Sequence, residues 1–584
     1  MKILLTVHQF FPDFFAGTEV LTLSVAKELK RRGHQVVVLT GYPVKHLLPA
    51  WQRFDCYDLE GVEVHRFAHS FTPMGDQCVL SEIEYDNHLV TGFFAHLLDT
   101  VRPDIVHFFH FSRLGSGMVD SARHKAVPAY YTPTDFWAIC PTIQLLLANG
   151  NVCPGPTAHG GNCIKHVATL TQWRNRAALV KYLPDRLVEV IAAVADSDLR
   201  MPFPFRQELA ALSRRSACNV ARLNGLHAIF SPTRLMTDVL TRNGVDARLI
   251  VQSAYGLDIS GFGEVQRAFD PARPLTFGYI GTLIPHKGCE VLIKAFLRLN
   301  HREARLHIYG DLTQFPEYVA RLQALAAGRD DIVFLGTFPN DQIAEVLARI
   351  DAVAVPSLWY ENTPLVVYSA LASKCPVIAS DFPGMSEAVH DGYNGLTFEP
   401  GNVDALAHCL RRLSSTPALL RELSAHCDQP KSIATYVDEL LAVYADPDRR
   451  PLHDLPDRPP VQSYRPEPPR GRIVGWAAVA CAEPRSLRLV VDGREVGRTT
   501  QLLPRPDVRD RFRRSGRFVR GVQYGFDLTL NAHVSPEAAI LIVEDRHGAL
   551  QEIPFRALTV GRSVKAADNL LIGIDAAEFD LIAP

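Results

Sequence analysis

The chain has no apolar run long enough to cross a membrane, which excludes a helical integral membrane protein. It has no excess of one charge. The 61 Lys and Arg against 63 Asp and Glu leave a formal net charge of −2, so nothing global argues for nucleic acid as a partner. It has no disulfide pattern either: its 11 cysteines are odd in number and scattered through 584 residues, which fits reduced thiols. The opening MKILLTVHQFF is interrupted too soon, by Pro12 and Asp13, for a signal peptide, so a cytoplasmic protein is expected. The first strand is not followed by Gly-x-Gly-x-x-Gly, which argues against a nicotinamide enzyme. What is present is an ordinary globular composition, 47% hydrophobic and 21% charged, over a length that suits about three domains.

Strand-like and helix-like segments alternate along two stretches. Ile3–Val7 reads as a buried strand, followed by a helix capped by Thr18 and ended by Gly33, and then by the strand Gln35–Thr40, a βαβ opening. Gly17 serves either the turn or the close approach of a ligand. In the strand Pro103–Phe111, His107 and His110 lie three apart and face opposite ways, so they suit structural roles better than a shared metal. Residues 167–219 are largely helical, an insertion in this first unit. From Pro274 a second series alternates strands (Leu275–Ile280, Arg305–Tyr309, Ile332–Leu335, Ala352–Ser357, Cys375–Ser380, Gly395–Phe398) with helices. The pattern predicts an α/β protein with two doubly wound, Rossmann-like domains facing a cleft, over 1–245 and 246–446, the second closed by an amphipathic helix at 432–444. Residues 447–470, rich in Pro and Arg, read as a linker. Residues 471–558, with an Asp492-Gly493 hairpin turn, read as a small antiparallel β-sandwich, and 559–584 as a tail without assignment.

One stretch organises the rest: PSLWYENTPLVVYSALASKCPVIAS, Pro356–Ser380. A buried strand ends at its start. A loop then carries Glu361 and Asn362, and Thr363-Pro364 opens a helix, Thr as cap and Pro as first helical residue. The helix is apolar nearly all round. A carboxylate therefore sits at a strand's C-terminal end beside a helix N-terminus, where open α/β sheets bind ligands. Lys287-Gly288, in the first βα loop of the same domain, suits the oxygens of a diphosphate. Cys140, Cys153, Cys163 and His166 contain only one tight pair, so loop packing is expected ahead of a zinc knuckle or a disulfide.

The Pro356–Ser380 stretch resembles the family-4 retaining glycosyltransferases, whose signature is two glutamates with seven residues between them, a helix of small residues and a Pro-Val-Ile-Ala strand. Glu361 matches the first glutamate; Ser369 stands in the place of the second, and Lys374 where glycine is usual. The Gly17-Thr18-Glu19 loop resembles the family's glycine loop, and the helix at 432–444 its closing helix. In the strand-end motif near the reacting sugar, Asp135 keeps the aspartate while Thr134 stands in the histidine's place. Thr282 stands where an arginine usually partners Lys287. The resemblance covers about residues 1–446.

It implies the glycosyltransferase-B architecture and the transfer of a sugar from a nucleotide-sugar to a glycan or lipid-linked acceptor, with retention and without a metal or other cofactor, in bacterial surface polysaccharide synthesis. Glu361 would touch the donor sugar. Lys287, Gly288, Thr282, Gly17 and Thr18 would surround the diphosphate, with Asn362, Thr363, Pro364 and Leu365 and the N–H groups at the helix start. Ser369 would reach the ribose, and Asp135 would face the acceptor as an acid/base group or brace its own loop. A sugar phosphorylase or sugar-phosphate synthase shares these parts, and a non-catalytic glycan- or nucleotide-binding scaffold accommodates the losses at Thr134, Thr282 and Ser369. In the C-terminal domain, the arginine-rich 505–520 segment is either a solvated loop or a surface for an anionic glycan, nucleic acid or lipid headgroups, the last of which would place the protein at the inner face of the membrane.

Overall fold

In the computed structural model the described residues are 1–44, 48, 52–70, 72–75, 77–147, 151–170, 180, 182–197, 205–259, 261–262, 267, 273–362, 364–446, 471–479, 484–499, 503–504, 524–530, 539–545, 550–555, 563–567 and 570–579. The first sheet has eight strands: β1 (Lys2–Val7), β2 (Gln35–Pro43), β3 (Phe54–Leu59), β4 (Val62–His69), β5 (Ile105–Phe108), β6 (Ala129–Tyr131), β7 (Ala228–Ser231) and β8 (Ile250–Gln252). Their order is β3-β4-β2-β1-β5-β6-β7-β8, parallel throughout except that β3 runs against β4. The strand period of two divides the apolar residues between two cores. Leu4, Val37 and Leu39 point into one; Ile3, Leu5, Val7, Val36 and Val38 point into the other. The helix Gly17–Arg31 covers the second face with Leu21, Val25, Ala26 and Leu29. It begins at Gly17 with Ala16 as its cap residue, so Thr18 lies inside the first turn and does not cap it. The chain leaves the helix through Gly33 at φ +84°, as the sequence predicts.

The second sheet has six parallel strands, β9 (Leu275–Ile280), β10 (Ala304–Tyr309), β11 (Ile332–Gly336), β12 (Ala352–Val355), β13 (Val377–Ser380) and β14 (Gly395–Phe398), in the order β11-β10-β9-β12-β13-β14. Ala352 and Ala354 face one core and Val353 and Val355 the other, so the all-apolar run that suggested a doubly covered strand is one. The helix Ile433–Tyr444, capped by Ser432, crosses back and buries Tyr436, Val437, Leu440 and Tyr444 in the first domain's core. Two crossings between the domains pair with each other: Leu257 N–H donates to the Lys431 carbonyl at 2.9 Å, and Ile433 N–H to the Leu257 carbonyl at 2.8 Å. Gly256 is required there, since a Cβ on it would lie 2.6 Å from the Tyr436 side chain.

Three boundaries differ from the sequence reading. β8 closes the first sheet, so that domain runs past 245: a three-residue strand lacks enough period to declare which sheet it joins. The insertion contains the helices Gly161–Leu170, Asp185–Asp196 and Arg206–Leu223, beginning before 167. The supposed tail supplies the strands Ser563–Ala567 and Leu570–Phe579, and the latter pairs along the whole of Gly471–Val479. The C-terminal domain thus holds a five-stranded and a four-stranded antiparallel sheet. Its Asp492-Gly493 turn has φ +50° and +74° and joins Pro484–Val491 to Arg494–Thr499, as the dipeptide predicts. The 447–470 linker and the 505–520 segment lie outside the described residues.

Candidate active site

β12 delivers the chain into the cleft at Ser357. The next turn folds Glu361 inward, 5% exposed, so that its Oε1 accepts three hydrogen bonds: from Lys287 Nζ at 2.7 Å, Ser357 Oγ at 2.7 Å and Trp359 Nε1 at 2.8 Å. Burial works against its charge, but the Lys287 ammonium and the three donors outweigh it and hold the carboxyl below the usual range. Lys287 also lies over the Trp359 ring, 5.1 Å from its centroid. Two residues far apart in sequence, each singled out from its own loop, are thus in direct contact. Gly288, beside Lys287, has φ +72°, and a Cβ there would fall 1.8 Å from the Pro356 carbonyl oxygen. What this glycine lets approach is therefore the Glu361 loop's own backbone. At Thr282 the carbonyl accepts the Tyr279 hydroxyl at 2.9 Å.

The helix after Glu361 runs Leu365–Ala372 with Pro364 as its cap residue, one position later than its sequence suggests. Thr363, expected to cap it, lies outside the described residues. Leu365 faces the first domain: a Cβ on Gly17 would sit 3.7 Å from its side chain. Ser369, 5% exposed and four residues on, shares that cleft-facing side. Asn362 is committed to the domain contact. Its Nδ2 donates to the Pro133 carbonyl at 3.1 Å and to Tyr255 Oη at 2.8 Å, and its Oδ1 accepts from Thr233 Oγ1 at 3.0 Å. A second contact between the domains lies nearby: the Glu387 carboxylate accepts the N–H groups of Arg234 and Leu235, at 2.8 and 3.1 Å, at the start of the helix Arg234–Arg242.

Across the cleft, Asp135 follows β6. Its Oδ1 accepts from Trp137 N–H at 2.8 Å and its Oδ2 meets His110 Nε2 at 2.7 Å. His110 Nδ1 accepts from Ser112 N–H at 3.0 Å, which places the ring's hydrogen on Nε2, donated to Asp135. Thr134 instead turns its hydroxyl to the Phe109 carbonyl at 3.3 Å. The imidazole beside Asp135 therefore comes from the end of β5 and not from the residue before it. His107 goes the other way, between Thr132 Oγ1 at 2.8 Å and Tyr444 Oη at 2.5 Å; burial lowers its pKa to about 3, and its role is to seat the closing helix.

Sequence reading missed His8, His110 as a cleft residue, Asn362 as a domain contact, and Glu387. His8 directly follows β1, and that position alone marks it under the strand-end rule. Cys140, Cys153, Cys163 and His166 do not form a metal-sized cluster. Among the described residues only His301, Asp330 and Asp331 bring three such donor atoms within 4.8 Å of one another, and those carboxylates are paired with Arg302 and Arg329. No helix among the described residues is long and apolar enough to cross a membrane.

Two family models match the chain: "Glycosyltransferase Family 4" over residues 15–150 and "Glycosyl transferases group 1" over 274–416. Among curated proteins, an exopolysaccharide phosphotransferase of Streptomyces coelicolor is 34% identical over 142 residues, 24% of this chain and 15% of its own. A D-inositol 3-phosphate glycosyltransferase of Nocardia farcinica is 28% identical over 280 residues, 44% of this chain and 59% of its own. The chain thus spans less than two thirds of the length of either. Among solved structures, Anabaena HepE in complex with UDP and glucose superposes with a TM-score of 0.50 at 16% identity, over 76% of this chain and all of that one, a likeness of fold. The matched segments carry the second sheet, part of the first, and the loops that hold Gly17, Asp135, Lys287 and Glu361; over them the chain is similar to the family-4 and group-1 glycosyltransferases, and its fold is that of the glycosyltransferase-B structures.

Proposed function

We propose that the protein transfers a sugar from a nucleotide-sugar to a hydroxyl of a glycan or lipid-linked acceptor, with retention and without a metal, in the making of a surface polysaccharide. The observation that carries this reading is the Lys287–Glu361 pair at the C-terminal edge of the second sheet, beside the start of the helix Leu365–Ala372. A diphosphate entering that edge takes over the Lys287 ammonium. Glu361, still held by Ser357 and Trp359, then turns its charge toward the anomeric carbon, where positive charge develops as the bond to the diphosphate breaks. Ser369, on the side that meets Gly17, reaches toward the ribose with one short hydroxyl. Asp135, with both oxygens already bonded, braces the acceptor loop.

The test is a panel of nucleotide-sugars in a thermal-shift assay, starting with UDP-glucose because HepE was solved with UDP and glucose, followed by release of nucleoside diphosphate. A raised melting temperature with diphosphate release supports transfer. Release that requires inorganic phosphate indicates a phosphorylase. Binding without turnover of any donor indicates a scaffold.

A further inference from the structure

The first-domain wall of the cleft holds a group that the donor chemistry above does not use. Glu19, in the first turn of Gly17–Arg31, is 0% exposed, and neither of its carboxyl oxygens makes a hydrogen bond. Its nearest imidazole is His8, with Nε2 at 3.5 Å from Oε1. The His8 ring stacks on His110, centroids 4.1 Å apart, and His110 in turn holds Asp135. Arg113 fixes the same turn by donating to the His8 carbonyl at 3.1 Å and to Gln9 Oε1 at 2.8 Å. Four residues from four separate segments therefore meet at the C-terminal edge of the first sheet. We propose that His8 is the residue that receives the acceptor's reacting hydroxyl, and that Glu19 is its positioning residue.

Exposure selects His8 from the cluster. The side chains of Glu19 and His110 are 0% and 2% exposed, whereas that of His8 is 18% exposed. Asp135 is reachable too, but both its oxygens are engaged. Of the two His8 nitrogens, Nδ1 is walled in without a partner, which leaves Nε2, beside Glu19, for a ligand. Burial first, and then His110 and Arg113, hold the His8 pKa well below its ordinary value, so the ring meets a hydroxyl as a hydrogen-bond acceptor and not as a cation. A hydroxyl that gives its hydrogen to Nε2 presents its lone pair to the anomeric carbon on the other side of the cleft. Glu19 abuts the ring at the Nε2 edge, 3.5 Å away, and limits where it can turn. Its own carboxyl is raised by burial, against the smaller opposing pull of Gln9, His110 and nearby amides. The assignment rests on the transferase reading.

The experiment measures release of nucleoside diphosphate from the sugar nucleotide that the wild-type chain turns over, with water and with methyl glycosides as the hydroxyl probes. His8→Phe is expected to lower kcat by about 100-fold, the cost of a misplaced reactant. Nucleoside diphosphate affinity should stay within about twofold, as no phosphate contact is touched. His8→Asn, which keeps a hydrogen-bond acceptor, should restore part of the rate. Glu19→Gln should lower kcat by about tenfold and raise KM for the methyl glycoside while leaving KM for the donor unchanged, a split that general unfolding does not produce. Full activity in His8→Phe, or a loss of donor affinity equal to the loss of rate, overturns the assignment. A wild-type chain that turns over no sugar nucleotide overturns the transferase reading and this assignment with it.

Discussion

Glu361 and Glu19 are both buried carboxyl groups at the C-terminal edge of a parallel sheet, and their surroundings differ in kind. Glu361 has one oxygen saturated by an ammonium, a hydroxyl and an indole, and it stays ionised. Glu19 has no hydrogen bond on either oxygen, and burial pushes its pKa up. A buried charge is tolerated only where its partners are built in, and the two carboxyls are accordingly shifted in opposite directions, Glu361 down by its partners and Glu19 up by burial. The wall proposed for the donor has its carboxylate partnered within the protein, whereas the wall proposed for the acceptor holds a buried carboxyl without a hydrogen-bond partner.

The comparison breaks first if the Glu361 loop is not rigid. Gly288→Ala would force a Cβ to within 1.8 Å of the Pro356 oxygen at a φ of +72°. A loss of about 4 kcal/mol is expected, in the range of severe backbone strain. Urea unfolding of the variant measures it, and a loss under about 1 kcal/mol would mean that the loop gives way easily.

Lys287→Ala tests the pairing itself. Removing the cation should weaken nucleoside diphosphate binding by about 1.5–3 kcal/mol, as calorimetry would show. The pH dependence has a definite sign. In the wild type the Glu361 pKa is lowered, so its contribution to stability is present above the ordinary carboxyl value of 4.5 and is lost as pH falls through the lowered value. Without Lys287 burial dominates, the pKa rises, and the penalty at neutral pH is relieved as the carboxyl protonates. The difference in melting temperature between variant and wild type should therefore shrink as pH falls toward 4.5. A gap independent of pH would show that the pair does not act through charge.

The unequal legibility of the two walls has a physical origin. The donor wall comes from contiguous chain: the strand Ala352–Val355, its loop and the helix Leu365–Ala372 follow one another, so capping residues, apolar runs and one carboxylate between them can be read in order. Lys287 was legible as a cation in the loop that follows the strand Leu275–Ile280, on the edge where open α/β sheets bind ligands. The acceptor wall is assembled from the ends of β1, β5 and β6 and the start of a helix, and no spacing rule connects residues 8, 19, 110 and 135. His110 illustrates the limit: counted along a continuous strand it faces away from His107, but the strand ends at Phe108 and the turn beyond aims the ring at Asp135. Lys374 illustrates the reverse. Its φ of +55° accounts for the glycine usual at that place, a backbone demand that the sequence comparison registers without the reason.

His107 extends the comparison to a buried group that is neutral for structural reasons. His107→Leu leaves the Thr132 and Tyr444 hydroxyls without their ring partner, at a cost of about 2 kcal/mol near neutral pH. Burial holds the native pKa at about 3, against an ordinary 6.5, so the wild type loses this contribution as pH falls from 6.5 toward 3. The deficit of the variant should narrow over that interval in thermal melts. A deficit that widens would place a charged imidazole in the native core.

The smallest expected effect concerns Ser369, where the proposed donor wall departs from the family pattern it resembles. A glutamate accepts two hydrogen bonds from a ribose diol; a serine offers one short hydroxyl. Leu365 abuts Gly17, and Ser369, one turn later, shares its face, so a side chain at 369 is directed at the cleft. Ser369→Glu should tighten nucleotide-sugar binding by about 1–2 kcal/mol through a regained charge-assisted bond. The ligand-free protein should meanwhile lose some melting temperature, because position 369 is only 5% exposed and a carboxylate there lacks a lysine of the kind that holds Glu361. Saturating nucleotide-sugar should restore it, since only the folded state binds the ligand. Lower stability without tighter binding would put the ribose elsewhere. The donor wall would then share the acceptor wall's condition, a buried carboxyl with nothing to meet it.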